Sequence, residues 1–294
     1  MISQSARKIR GGLVRDVLDE TPIELKRKQW EVFAREQPTP SGVNVQHLEL
    51  AGVPCLLCTG EQPSSNTMIV YCHGGGLEGS VETHRTWTCR LALHTGCKVL
   101  SVQYRLAPEH PYPAGVEDVL SVCNALTFDK SFAGSFCIGA DSTGCILGLL
   151  ALIKLKSQKS IKPGSAFFLS PSIDLTFSGA SIESNASLDP LVSLDVLRHY
   201  AKLYAAGKDM YDSEISPLFA QLRDIPPILI MADDQEILLD DATRLARNVT
   251  DAGGIAKLHL THGLWHAWPM YGDFPESAIA LDLISQHVLH PSGD

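Results

Sequence analysis

Two short motifs could together carry out acyl transfer. In residues 71–76, Tyr-Cys-His-Gly-Gly-Gly, an apolar strand pattern ends in a histidine and three glycines. In the second motif, Ser142 lies between the small residues Ala140 and Gly144, after a strand pattern and before a helix pattern. A glycine loop can turn N–H groups toward an oxyanion, and a serine on a tight strand-to-helix turn can attack a carbonyl. The two motifs predict a nucleophilic serine that acts on esters.

The same serine has a simpler interpretation, because a serine before a helix is often only an N-cap. The glycine loop upstream favours the nucleophile. Thr143 opens the helix, so its N–H would point toward whatever is bound to Ser142. We expect the N–H groups of Gly74 and Gly75 to act with that of Thr143 as oxyanion donors, while Gly76 shapes the loop.

A serine nucleophile needs a base, and the strand pattern at 257–261 is followed by two histidines, His262 and His266. Both are candidates from the residues alone. His266 lies beyond Gly263, in the loop before the last helix pattern, where a base could reach back to Ser142. We expect His73 to anchor the glycine loop rather than to carry a proton.

The third member of such a site is an acid that orients the base. The strand pattern at 228–232 is followed by five acids: Asp233, Asp234, Glu236, Asp240 and Asp241. The last two open a helix pattern and can be helix caps or dipole partners. The spacing does not choose among the other three.

Between these motifs, apolar strand patterns alternate with helix patterns, which predicts a mostly parallel sheet covered by helices on both faces. The chain between Leu169 and Ile228 has a helix pattern but no strand pattern, and we expect it to form a cap above the sheet together with the N-terminal helices. We predict a single domain over 1–294, with a cap at about 1–40 and 175–215 and a catalytic core at about 43–174 and 216–294.

The composition limits the classes of molecule that this chain is expected to bind. The chain has 294 residues, a formal charge of −9 and no basic cluster, which argues against nucleic acid. It has no apolar run long enough for stable membrane insertion and no apolar stretch typical of a secretory signal, so we expect a cytoplasmic protein. We expect its eight cysteines to be buried thiols. Cys55 and Cys58 have the spacing of a metal-binding pair, but no second pair of Cys or His follows at the spacing that a zinc site needs. No metal and no organic cofactor is predicted.

Six segments together resemble the hormone-sensitive lipase-like branch of the α/β-hydrolase esterases, over nearly the whole chain from about residue 45. They are 73–76, 104–114 (Tyr-Arg-Leu-Ala-Pro-Glu-His-Pro-Tyr-Pro-Ala), 141–142, 189–190, 216–220 and 236–240. The resemblance implies an α/β-hydrolase fold, with Glu236 as the acid and His266 as the base. It also implies oxyanion donors at Gly74, Gly75 and Thr143.

The resemblance implies a serine carboxylesterase that hydrolyses small or short-chain acyl esters. A lactone hydrolase or an acyltransferase would use the same triad, whereas a non-catalytic receptor would lack one of its members. The expected partner is a small-molecule ester, with a homodimer as a possible assembly. Asp141 belongs to the family motif as a structural residue, and we expect Arg105 and Glu109 to hold the glycine loop from behind. Leu77 and Glu78 stand where the family usually has an aromatic residue.

Overall fold

In the part of the chain that the structure describes, an eight-stranded sheet forms the centre of the molecule. The computed structural model describes residues 1–128, 134–156 and 162–291, so the parts of the predicted core at 129–133, 157–161 and 292–294 lie outside the described residues. The strands are Val43–Leu50 (β1), Val53–Gly60 (β2), Met68–Cys72 (β3), Lys98–Val102 (β4), Phe136–Asp141 (β5), Ser165–Leu169 (β6), Ile228–Asp233 (β7) and Ala256–Thr261 (β8).

Helices cover both faces of this sheet, and two of them precede its first strand in the chain. They are Gln4–Gly11 (α1), Ile23–Glu36 (α2), Arg85–Thr95 (α3), Ala114–Phe128 (α4), Gly144–Leu155 (α5), Ser181–Ser184 (α6), Leu194–Ala205 (α7), Leu239–Asp251 (α8) and Pro275–Leu289 (α9). Helices α4, α5 and α8 pack on one face, and α3 and α9 pack on the other. Successive side chains of a strand point to opposite faces of the sheet. Val70 packs with α4, α5 and α8, and Ile69 packs with α3 and α9.

The strand order is β1-β2-β4-β3-β5-β6-β7-β8. Strand β2 runs antiparallel to β1 and β4, and the remaining neighbours are parallel. Every residue of β5, β6 and β7 is buried, as expected for central strands with helices on both faces. This architecture is the α/β-hydrolase fold, and it confirms the fold predicted from the sequence.

Parallel strands bring their carboxyl ends to one edge of the sheet, so the residues after β5, β6, β7 and β8 meet there. The insertion between β6 and β7 contains α6 and α7 and no strand, and all of its residues, 170–227, are described. Its apolar side chains pack against the turn after β7, where Ile182 and Val192 meet Ile237 and Leu238. The division of the chain into cap and core segments stays a prediction.

Three features bear on function classes. No helix in the ranges that the structure covers is both long and apolar enough to cross a membrane. The eight cysteines are free and buried. Among the described residues, no three His, Cys, Asp or Glu side chains form a group that could hold a metal ion.

Candidate active site

Ser142 occupies a strained turn between β5 and α5. Its φ of 49° lies in the left-handed region, which a non-glycine residue adopts only when its surroundings enforce it. Two hydrogen bonds do so: its N–H donates to the Leu169 carbonyl at 2.9 Å, and its carbonyl accepts from the Ser172 N–H at 3.1 Å. Gly144 permits the sharp turn, because a Cβ there would collide with the carbonyl oxygens of Cys72 and His73. The chain therefore holds this serine in a fixed, unusual conformation.

His266 and Glu236 form a buried pair at the same edge of the sheet. His266 Nδ1 lies 3.0 Å from Glu236 Oε2, and both side chains are almost wholly buried. The other oxygen, Glu236 Oε1, accepts from the Asp233 N–H at 2.7 Å and from the Ser170 hydroxyl at 2.8 Å. Because Oε1 is occupied by two donors, Oε2 is the oxygen that faces the histidine.

Burial and pairing shift the pKa values of both His266 and Glu236. Burial acts to lower the pKa of His266, but the hydrogen bond and negative charge of Glu236 outweigh it, so the pKa lies above the ordinary histidine value. Burial raises the pKa of Glu236, against the opposing effect of His266. An adjacent carboxylate that stabilises an imidazolium is the arrangement that a general base requires.

The competing acids and the competing histidine have other partners. Asp233 accepts from the Leu264 N–H and from the Thr261 hydroxyl, each at 2.8 Å, and so anchors the loop that carries His266. Asp234 pairs with His262 Nδ1 at 2.9 Å, with side chains that are 42% and 78% exposed. Of the alternatives left open by the sequence, the structure brings Glu236 to His266 and leaves Asp234 and His262 together near solvent.

Ser142 and His266 line one cleft of about 580 Å³. Since Nδ1 of His266 faces Glu236, its Nε2 is the nitrogen left for the serine. The Ser142 hydroxyl has no hydrogen-bond partner within the described ranges. Nucleophile–base contacts are often long in a free enzyme and shorten when substrate binds.

The glycine loop is tied to the turn that carries Ser142 through Asp141. The Gly74 N–H donates to Asp141 Oδ1 at 3.0 Å, so it is not free to bind an oxyanion. The N–H groups of Gly75, Gly76 and Thr143 have no acceptor in the part of the chain that is described. The expected role of Gly74 as a donor therefore does not fit this geometry, because its N–H already fixes the loop, and Gly76 offers a free N–H instead.

His73 lies behind this loop and is fully buried. Its ring stacks on Tyr104 with centroids 4.3 Å apart, and its Nδ1 lies 3.1 Å from the Gly74 carbonyl oxygen. Burial, together with the nearby His84, lowers the pKa of His73 to about 3. The ring is therefore neutral near pH 7, in keeping with an anchor rather than a proton carrier.

Two aromatic side chains cover the glycines from outside the sheet. A Cβ on Gly75 would lie 2.7 Å from Trp30 of α2, and one on Gly76 would lie 2.6 Å from Tyr200 of α7. Both glycines also have positive φ, 89° and 63°. Only glycine fits at these two positions, for reasons of space and of backbone conformation.

Arg27 of α2 holds the loop from the side, a role that the sequence did not suggest. It donates to the Leu77 carbonyl at 2.8 Å and to the Ala107 carbonyl at 2.6 Å, and it pairs with Glu109 at 2.8 Å. Glu109 thus supports the loop through Arg27. Arg105 pairs with Asp118 at 2.8 Å instead, so the expectation that it holds the glycine loop is wrong. A lone arginine on a helix pattern carries no signal of such a tertiary contact.

Comparisons with known proteins agree with this fold. Residues 69–270 match a family described as having the alpha/beta hydrolase fold. An esterase of Acinetobacter venetianus is 34% identical over 256 residues, which cover 85% of this chain and 83% of that protein. An acetyl-hydrolase of Streptomyces hygroscopicus is 31% identical over 228 residues, which cover 77% of this chain and 76% of the other.

A solved structure agrees as well. The crystal structure of an esterase from the bacterial hormone-sensitive lipase family superposes with a TM-score of 0.85 at 31% identity, over 97% of this chain and 95% of that one. The chain belongs to the hormone-sensitive lipase branch of the α/β-hydrolase family. It is a carboxylic-ester hydrolase.

Proposed function

We propose that the protein hydrolyses short-chain acyl esters through a Ser142–His266–Glu236 triad and an acyl-enzyme. The buried His266–Glu236 pair carries this proposal, since it presents a charge-supported imidazole in the cleft that also contains Ser142. No other pairing of the predicted acids and histidines offers a buried base at that cleft.

Acylation begins when His266 Nε2 takes the proton of the Ser142 hydroxyl while Oγ bonds to the ester carbonyl carbon. The carbonyl electron pair moves to its oxygen, which becomes an oxyanion. When this intermediate collapses, the bond to the alcohol oxygen breaks and His266 returns the proton to that oxygen. Glu236 stabilises the imidazolium in between and keeps its own charge.

Deacylation repeats these steps with water. His266 Nε2 accepts a proton from the water as its oxygen bonds to the acyl carbon. Collapse of the second oxyanion breaks the bond to Ser142 Oγ, which regains its proton from His266. The products are the carboxylic acid and the free enzyme.

The oxyanion donors that we propose are the N–H groups of Gly75, Gly76 and Thr143. These three have no competing acceptor in the described ranges, and the Thr143 N–H lies at the start of α5, where the helix dipole adds positive charge. Loss of one such donor costs about 10²–10³ in rate in comparable sites. Gly74, His73 and Asp141 are proposed to hold the loop in place.

The two cavities suggest which part of the ester goes where. A narrow apolar cavity of about 40 Å³ adjoins Gly76 and Thr143, between α7 and the start of α5. One water needs about 10–15 Å³ of cavity, so this cavity has room for about three waters, a size that suits a short acyl chain. The larger cleft, lined by side chains such as Trp30 and Tyr271, would take the alcohol part.

The test is hydrolysis of p-nitrophenyl esters from acetate to decanoate by the wild type and by Ser142→Ala. We expect kcat/KM to be highest from acetate to butyrate and to fall steeply beyond, with Ser142→Ala inactive. A fluorophosphonate should label Ser142 in the wild type, as located by peptide mass spectrometry. A folded Ser142→Ala enzyme with near-normal turnover would contradict the triad, and a preference for decanoate would contradict the acyl cavity.

A further inference from the structure

Ser170 connects the acid and the base of the proposed triad through a single hydroxyl group. It is 2% exposed and directly follows β6, the strand that pairs with β5, and β5 ends at the Ser142 turn. Its Oγ lies 2.8 Å from Glu236 Oε1 and 2.8 Å from the Ala267 backbone nitrogen. Ala267 directly follows the proposed base, so both sides of the His266–Glu236 pair are fixed by the same oxygen.

Chemistry assigns the direction of each of these hydrogen bonds. The Ala267 N–H can only donate, so the Ser170 oxygen accepts from it. The hydroxyl proton is then directed to Glu236. Ser170 therefore uses its one donor on the carboxylate and one of its lone pairs on the loop that carries His266.

We propose that Ser170 is a positioning residue of this esterase, which holds Glu236 and the His266 loop in catalytic register through its hydroxyl. The inference rests on the proposed function and adds a fourth side chain to its machinery. Ser170 touches no substrate and exchanges no proton. It acts by fixing which carboxylate oxygen faces the base.

The backbone around the site supports a functional rather than a purely structural role. Ser170 has a φ of 45° and Ala267 a φ of 52°, both in the left-handed region and neither a glycine. Strained residues of this kind persist where surrounding contacts enforce them, and they are concentrated at active sites. The Ser170–Ala267 hydrogen bond joins the two directly, beside the strained Ser142 turn.

The pH dependence follows from the groups that face the pair. Asp189 from the insertion between β6 and β7, Asp141 from β5 and Asp16 from the N-terminal segment face His266 in addition to Glu236. These carboxylates remain unchanged when the Ser170 hydroxyl is removed. Loss of a donor makes the Glu236 carboxylate more basic, so the pair takes up its next proton at higher pH. The acid limb of kcat/KM should therefore move to higher pH and not to lower.

The experiment compares Ser170→Ala and Ser170→Gly with a control, Ser101→Ala. Glycine removes the same hydroxyl but relieves the left-handed backbone, so Ser170→Gly should fold even if Ser170→Ala does not. Ser101 is a buried serine of β4 whose hydroxyl has no hydrogen-bond partner in the described ranges. The assay is p-nitrophenyl acetate hydrolysis from pH 5.5 to 9, with circular dichroism melts of each variant.

We expect both Ser170 variants to lose about 10- to 100-fold in kcat, the range for one hydrogen bond to a charged group, with KM changed less than about threefold. The acid limb should move upward in both, and Ser101→Ala should match the wild type. If a folded Ser170→Gly enzyme keeps its kcat within about threefold, or loses kcat with an unmoved acid limb, the positioning role is wrong. Retained turnover in Ser142→Ala would instead overturn the proposed triad, so the two failures can be told apart.

Discussion

Glu236→Gln should inactivate the enzyme through the tautomer of His266. The Asp233 N–H donates to Oε1 of Glu236 at 2.7 Å, and a backbone N–H cannot become an acceptor. The glutamine must therefore place its carbonyl oxygen at the Oε1 position, which turns its NH₂ group toward His266 Nδ1. Nδ1 then has to accept a hydrogen bond, so the ring proton moves to Nε2.

A His266 ring protonated at Nε2 cannot take the proton of Ser142. The corresponding Asp→Asn change in serine proteases, which likewise imposes the wrong tautomer, lowers kcat about 10⁴-fold, equivalent to about 5 kcal/mol of transition-state stabilisation. We expect a loss of that order for Glu236→Gln. The binding of substrate should change little, because Glu236 does not line the cleft.

Asp234→Asn is the matched control, since it makes the same type of change two residues away. Its carboxylate pairs with His262 near solvent, and exposed pairs of this kind contribute only about 0–1 kcal/mol. Asp234→Asn should keep kcat within about twofold. Both variants would be assayed with p-nitrophenyl acetate after circular dichroism has shown that they fold. If Glu236→Gln keeps more than about a tenth of the wild-type kcat, or if Asp234→Asn is the inactive variant, the assignment of the acid is refuted.

Three further predictions concern the base and the loop. Since the pKa of His266 is raised and its neutral ring is the proposed base, kcat/KM should fall reversibly as pH drops through a midpoint above about 6.5; a flat profile from pH 5 to 8 would rule this base out. Gly75→Ala should lower kcat at least about 100-fold, because its Cβ would press on Trp30 at 2.7 Å in a left-handed backbone, and normal kcat in a folded variant would contradict the loop assignment. Arg27→Ala frees the Leu77 carbonyl and should lower kcat about tenfold with a smaller change in melting temperature; unchanged kinetics would show that α2 does not support the loop.

The sequence could predict the parts of the site that depend on local order along the chain. Ser142 follows β5 and His266 follows β8, and parallel strands bring such positions to one edge whatever the details of packing. Spacing alone could not choose among Asp233, Asp234 and Glu236, because which of these side chains reaches the histidine depends on the side chains packed around the end of β7. Resemblance to a family selected Glu236, and the structure pairs that residue with His266.

Other parts of the site depend on contacts between distant segments. The Gly74 N–H donates to the side chain of Asp141, which lies 67 residues further along the chain. The Ser170 hydroxyl donates to Glu236, which lies 66 residues further along. Arg27 lies 50 residues before Leu77. Such contacts depend on how the folded helices and strands pack together, and neither hydrophobic periodicity nor a sequence motif predicts them. The glycine run therefore indicated an oxyanion loop without indicating which of its N–H groups would be free.

The cover of the glycine loop has a consequence for how enzymes of this type can be recombined. The matched family region begins at residue 69, yet Trp30, which fills the space over Gly75, and Arg27, which holds the loop, both precede it. Tyr200, over Gly76, comes from the insertion between β6 and β7. A chimera that exchanges the first forty residues between relatives therefore also exchanges part of the wall of the cleft that contains Ser142 and His266. Grafted N-terminal segments should be chosen together with residue 200, as coupled parts whose effects on turnover do not add.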